Sequence, residues 1–422
     1  MFLSRWIQGW SLSAKNTGQR GKLIGVGFLF VSFLIMINGC ANNPRPSPPI
    51  PSDGQLSFDS APSPEGDLFV YVGTYTGGKS VGIYIFNFSL KTGKLTPIGV
   101  AAGIDNPSFL ALHPNGQFLY AVNEIGNFNG KEQGAVSAFR RNSETGLLTF
   151  LNQQPSNGAA PCHLVVDAVG ENVLVANYNG GNAAVLPIQD DGKLDEPSWT
   201  VRHSGSSVNA GRQEKPHAHS INLDSANRYA FVADLGIDRI AVYGFNSEKG
   251  MLESKGDLWV SLKPGAGPRH FTFTPNGQFA YVINELDSTV TGFQYDASKG
   301  ALKEIQNVST LPAGNKVDNS TAELVVHPSG KFLYGSNRGH HSIVVYRIDP
   351  QSGQLTWVEN ESVRGKTPRN FAIDPTGRFL LAENQGSDNI KTFRIDTQTG
   401  ELEYSGHSVD VPSPVCIKFA VK

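Results

Sequence analysis

Three short stretches concentrate side chains able to handle protons and anions: Arg212-Gln213-Glu214-Lys215-Pro216-His217-Ala218-His219-Ser220, Pro268-Arg269-His270, and Ala322-Glu323 together with Ser336-Asn337-Arg338. Cys162-His163, Asn123-Glu124, Asn177-Tyr178, Asn284-Glu285 and Arg369-Asn370 add polar pairs that begin or end an apolar run. An imidazole near neutrality serves as general base and then as acid. A guanidinium grips a carboxylate or phosphate through paired donors. These types converging at one place favour a small-molecule ligand site over mere solvation of polar strand ends. No Gly-x-Ser-x-Gly elbow is present, which argues against a serine-hydrolase route. His217-x-His219 on an extended strand would place both rings on one face, and with Glu323 could hold a divalent ion, so metal-assisted hydrolysis is a rival reading.

The elements that must position these groups form a repeat. Pro107–Glu124 shows the full unit: an apolar strand, a His-Pro-Asn-Gly turn, an aromatic strand, then Asn-Glu. Pro268–Glu285, Thr321–Asn337 and Pro368–Asn384 are close copies, and Pro161–Asn177 and Ala218–Asp234 weaker ones. An alternating strand follows each, then a hairpin such as Lys91-Thr92-Gly93-Lys94 or Gln351-Ser352-Gly353-Gln354. Four short antiparallel strands recurring roughly every 50 residues are propeller blades. The first unit, at Leu68–Tyr75, lacks its opening strand, and an unattached copy of that strand, Ser413–Phe419, ends the chain. The prediction is an all-β, seven-bladed propeller of four-stranded antiparallel blades, closed by the C-terminal strand completing the first blade, so that no sheet edge is left open. Where an antiparallel pair turns, the start of one strand meets the end of the next. The polar pairs above therefore gather at one mouth of the central channel. Of the other histidines, His113 and His327 read as turn residues, and His340-His341 lies in a tight connection.

The 422-residue chain carries 35 Lys+Arg against 37 Asp+Glu, which gives no electrostatic footprint for nucleic acid or for an anionic membrane. Residues 1–40 read as an export signal of lipoprotein type. A basic leader precedes an apolar run from Leu23 to Ile37, too short to span a bilayer, and Cys40 is placed for lipidation. Residues 41–66, rich in Pro, Ser and Asn, read as an extended spacer, and the propeller as 67–422. Such a protein would sit outside the cytoplasm, tied to a bacterial membrane only through its N-terminus. Cys162 and Cys416 fall in different blades and read as small buried residues rather than a disulfide.

In these motifs the chain resembles the seven-bladed propeller lactonases, a family that includes propeller-type 6-phosphogluconolactonases and fungal carboxymuconate cyclases. The resemblance extends from about residue 67 to the end. It implies hydrolysis of a sugar-derived lactone with no required metal or cofactor. It implies His163, Arg212 and Arg269 as the His and Arg set around the mouth. Extending that reading, His163 or His219 would activate water, oriented by Glu323 or Glu285. Arg269 and His270 would stabilise the oxyanion, and Arg212 and Arg338 would hold an acidic group of the substrate. His217, Asn123 and Asn284 complete the expected binding set. A non-catalytic extracytoplasmic propeller that binds a ligand or protein is the alternative, since fold does not settle function.

Overall fold

A computed structural model describes residues 66–422, the side chains of Lys255, Asp257 and Leu258 excepted. The leader, Cys40 and the spacer up to residue 65 lie outside the described residues. The chain forms seven four-stranded antiparallel sheets. The first sheet is assembled from both ends of the domain, in the order Pro414–Val421, Leu68–Thr74, Gly82–Phe88, Leu95–Ala102. Leu68 faces Val421, Val70 faces Phe419 and Gly73 faces Cys416, so the C-terminal strand closes the ring. No helix among the described residues is long and apolar enough to cross a membrane.

The innermost strands are Leu110–Leu112, Pro161–Val166, Ala218–Leu223, Pro268–Phe273, Thr321–Val326, Pro368–Ile373 and Pro414–Val421. Each touches the next around the ring. The second strands (Leu68–Thr74, Phe118–Asn123, Asn172–Asn177, Tyr229–Asp234, Phe279–Asn284, Phe332–Asn337 and Phe379–Asn384) are buried almost throughout, as their unbroken apolar content requires. Clusters of aromatic and β-branched side chains from adjacent blades fuse into the core.

A Phe-x-Tyr pair in four of these second strands explains how blades are held at a fixed angle. The hydroxyls of Tyr71, Tyr120, Tyr281 and Tyr334 donate to the carbonyls of Gly146, Gly192, Gly353 and Gly400, each in a hairpin of another blade. The partner Phe ring packs against the same glycine. At Gly353 the backbone has φ +70°, and an added Cβ would meet the Phe279 ring at 2.4 Å. Gly353→Ala is therefore expected to lower stability by about 2 kcal/mol or more through left-handed strain and overpacking. A urea-unfolding midpoint equal to that of the parent would refute the staple.

Candidate active site

One backbone irregularity decides which side chains share a cavity. In six of the seven inner strands the pairing register slips near the strand start, between Pro161 and His163, Ala218 and Ser220, Pro268 and His270, Thr321 and Leu324, Pro368 and Asn370, and Pro414 and Cys416. A bulge re-aims a side chain that a regular pleat would send elsewhere. The result is two successive rings of side chains around the channel. The first takes the bulged residues Cys162, His219, Arg269 and Arg369. The second takes the residues that follow, His163, His270, Glu323 and Asn370, with Phe109.

The first ring meets the residues just past the second strands, Tyr75, Glu124, Tyr178, Glu285 and Arg338. Together with Arg212 and Ser320 these enclose a pocket of about 300 Å³, lined by Glu124, Cys162, Tyr178, Arg212, His219, Glu285, Ser320, Arg338 and Arg369. Glu285 is its centre. Its Oε1 accepts from Arg212 Nη2 at 2.6 Å, and its Oε2 from Arg269 Nε at 3.0 Å and Arg338 Nη2 at 2.9 Å. Burial alone would raise the Glu285 carboxyl. Arg338, Arg269 and Arg212 override it and hold the group at about 2. Arg369 donates to the Tyr75 hydroxyl at 2.9 Å, and that hydroxyl donates to Glu124 at 2.8 Å. Ser108 supplies a second donor to Glu124 at 2.5 Å. Arg269 also donates to the Ala322 carbonyl and Arg338 to the Thr321 carbonyl. Four guanidinium groups face two carboxylates here, leaving a net positive pocket fitted to an anionic or oxyanion-forming ligand.

His219 stands at the floor of this pocket. Its Nε2 lies 3.9 Å from Glu285 Oε2 and its Nδ1 3.7 Å from the Cys162 sulfur. Its ring meets Tyr178 edge-on at 5.3 Å and His270 at 5.5 Å. Burial first, and the nearby Arg269 second, hold the imidazole well below its usual range. His219 is thus neutral at physiological pH, with a free-base nitrogen beside guanidinium groups.

His163, His270 and Glu323, also expected at the mouth, lie in the second ring and line a different cavity of about 540 Å³. There His270 Nδ1–H donates to Glu323 Oε1 at 2.8 Å, and Asn370 clamps the other carboxylate oxygen. His163 stacks on Phe109 with ring centres 4.3 Å apart, and its Nδ1 accepts the Ile221 amide. His217 packs flat on Tyr178 at 4.4 Å, with its nitrogens 3.1 Å from the Tyr178 carbonyl and 3.2 Å from Glu214. With both ring nitrogens engaged, His217 is a rim brace rather than a partner to His219. Among the described residues no three His, Cys, Asp or Glu groups converge as a metal site would require. Asn123 and Asn284 are wholly buried and spent on the fold. Asn123 donates to the Asp105 carbonyl and accepts from Ser137, and Asn284 donates to Thr289 and Thr291. Asn177, Asn337 and Asn384 hold equivalent places, each donating to a loop carbonyl. The residue after the Asn, not the Asn, reaches the pocket. Cys162 and Cys416 are free, buried thiols.

Around the pocket, Ser320 and the nearby Tyr75 were not singled out from sequence, and Arg369, Glu124 and Tyr178 stood there only as members of polar pairs with no role assigned. The usable signal was the second Pro-Arg pair, Pro368-Arg369, which copies Pro268-Arg269.

The rings have a thermodynamic consequence. Burial lowers His163 and His219 strongly, and also lowers His270, where Glu323 opposes it. Unfolded imidazoles protonate near pH 6.5, while the folded ones resist, so the unfolded state binds more protons below that pH and stability falls on acidification. Glu383 works the other way. It is wholly buried, neither carboxyl oxygen makes a hydrogen bond of normal geometry, and burial raises it well above the usual carboxylate range. The folded state therefore keeps a proton there that the unfolded state gives up, which adds stability as pH falls. Burial lowers His327 as well, so the imidazoles outnumber the one carboxyl, and a net loss of stability is expected as pH falls from 6.5 to 5.5. Urea midpoints that stay level or rise on acidification over this interval would contradict it.

A closed seven-bladed ring with a carboxylate-centred arginine pocket where its inner strands begin defines a propeller class of hydrolase-like architecture. The family model for the lactonases of seven-bladed β-propeller fold matches residues 69–419, and the chain belongs to that family. It is 40% identical over 350 residues to a 6-phosphogluconolactonase of Bacillus subtilis, covering 83% of this chain and 97% of that protein. A 6-phosphogluconolactonase of Formosa agariphila is 37% identical over 310 residues, covering 72% of this chain and 86% of the relative. Among solved structures, a periplasmic gluconolactonase of Pseudomonas aeruginosa superimposes with a TM-score of 0.79 at 34% identity, covering 84% of this chain and 99% of that one.

Proposed function

We propose that the chain hydrolyses a sugar-derived δ-lactone of the 6-phosphogluconolactone type in the arginine pocket. The observation that carries this reading is His219 held neutral on the floor of a pocket walled by Arg212, Arg338 and Arg369. Two relatives named 6-phosphogluconolactonase support the substrate class. His219 takes a proton from water as the water oxygen bonds to the lactone carbonyl carbon. Arg338 and Arg369 stabilise the resulting oxyanion. The carbon–ring-oxygen bond then breaks, and the His219 imidazolium returns its proton to the departing alkoxide, giving the open hydroxy acid. A depressed imidazole makes a strong acid for that second step. Arg212, whose side chain is 43% exposed at the rim, is suited to an anionic substituent such as a phosphate.

The test is acid release from δ-gluconolactone and its 6-phosphate by the purified chain, with spontaneous opening subtracted. Enzyme-dependent opening, favouring the phosphorylated lactone, is expected. No acceleration of either would leave a binding propeller as the better description. We also propose that Cys40 carries lipid and tethers the propeller outside the cytoplasm. Fatty-acid labelling that persists in Cys40→Ser would refute the tether.

A further inference from the structure

We propose that the second cavity of the channel is a separate binding site, for a small organic carboxylate with an apolar body. It is the larger of the two, about 540 Å³, and Arg269 and the bulged ring divide it from the lactone pocket. Its walls come from the later residues of the inner strands, where Val165, Ile373 and Phe419 stay half-buried. These side chains pack in part against the cores between blades, and the part left uncovered lines the cavity, where a ligand body would cover it.

The polar groups say what the ligand must carry. Glu323 is already saturated by His270, Asn370 and the Leu324 amide. Lys418 is not. Its ammonium sits 4.7 Å over the Phe109 ring, and although its charge is felt by the Glu323 and Glu383 carboxyls, no ion pair within 4 Å and no hydrogen bond engages it among the described residues. His163 accepts the Ile221 amide at Nδ1, which leaves Nε2–H as a donor. Unspent donors thus predominate beside an apolar wall, and a carboxylate is the acceptor that satisfies an ammonium and an N–H together. A cation held over an aromatic face, with no hydrogen bond spent on the protein, keeps its donors for such an anion. The polyol chain of a sugar acid would lie against the wrong surface here, so the site selects a different ligand from the lactone pocket.

The test is titration calorimetry of the full-length chain with 3-phenylpropionate, with 3-phenyl-1-propanol as the neutral counterpart. Saturable binding is expected. It should weaken at least 10-fold in Lys418→Met, stay within about 3-fold in Lys418→Arg and in Arg212→Met, and be at least 10-fold weaker for the alcohol. Absence of binding, equal binding by Lys418→Met, or equal binding of the alcohol would overturn the proposal. Loss of binding in Arg212→Met would place the ligand in the lactone pocket instead, which also overturns it. Comparing alcohol with carboxylate on the unaltered protein keeps the test decisive if a variant fails to fold.

Discussion

Glu285→Gln should remove most of the lactone-opening activity and, at the same time, a large part of the fold's stability. Glu285 is the acceptor for Arg212, Arg269 and Arg338, and its side chain is only 5% exposed. Glutamine keeps the shape but supplies no charge, and its amide would direct donors at guanidinium donors. Breaking one side of a buried charge network costs about 3–5 kcal/mol, because the remaining charges stay desolvated. Three guanidinium groups would then repel one another and withdraw from the positions that meet the oxyanion. A fall in kcat/KM of roughly 100-fold or more is expected, with a clear drop in the urea midpoint. A variant as stable as the parent would show that the arginines do not depend on Glu285.

His219→Gln should act on chemistry alone. The imidazole touches Tyr178 and His270 through ring contacts and the Cys162 sulfur at 3.7 Å, and glutamine keeps its size and polarity there without the proton transfer. Loss of a general acid–base group lowers kcat by about 100- to 10,000-fold, with KM and the unfolding midpoint little changed. In the parent, kcat/KM should stay level as pH falls from 7 to 6, because His219 is already neutral there. His163→Gln, one ring further along the channel, should keep activity within a few-fold. Equal losses in the two variants would mean that the bulge does not divide their roles.

The amino-acid sequence disclosed the ring because its blades repeat. The recurring Pro-Asn-Gly-type turns, the hairpin glycines and the stray strand Ser413–Phe419 are local patterns that only a closed propeller satisfies together. It disclosed the kind of residues at the site for the same reason: polar pairs at the ends of apolar strands need an explanation. It did not disclose which member of each pair meets the ligand. Cys162-His163 and Arg269-His270 read as equivalent pairs, and only the register slip at each strand start shows that Cys162 and Arg269 belong to one ring and His163 and His270 to the next. A bulge leaves no mark in composition or alternation when both residues are polar. The strand-end asparagines misdirected the reading in the same way. Asn123 is polar because it ties a loop to the blade and Asn284 because it bonds threonines of the next strand, while their neighbours Glu124 and Glu285 line the pocket. Arg369 was placed at the mouth but given no role, because its partner Tyr75 is 294 residues distant, joined to it only by ring closure.

A crystal structure with 6-phosphogluconate soaked in would locate the reaction most directly. The proposed mechanism predicts the product carboxylate beside His219, Arg338 and Arg369, with the phosphate toward Arg212. Product found against His163 and Lys418 instead, with the arginine pocket holding only solvent, would mean that the chemistry belongs to the other cavity.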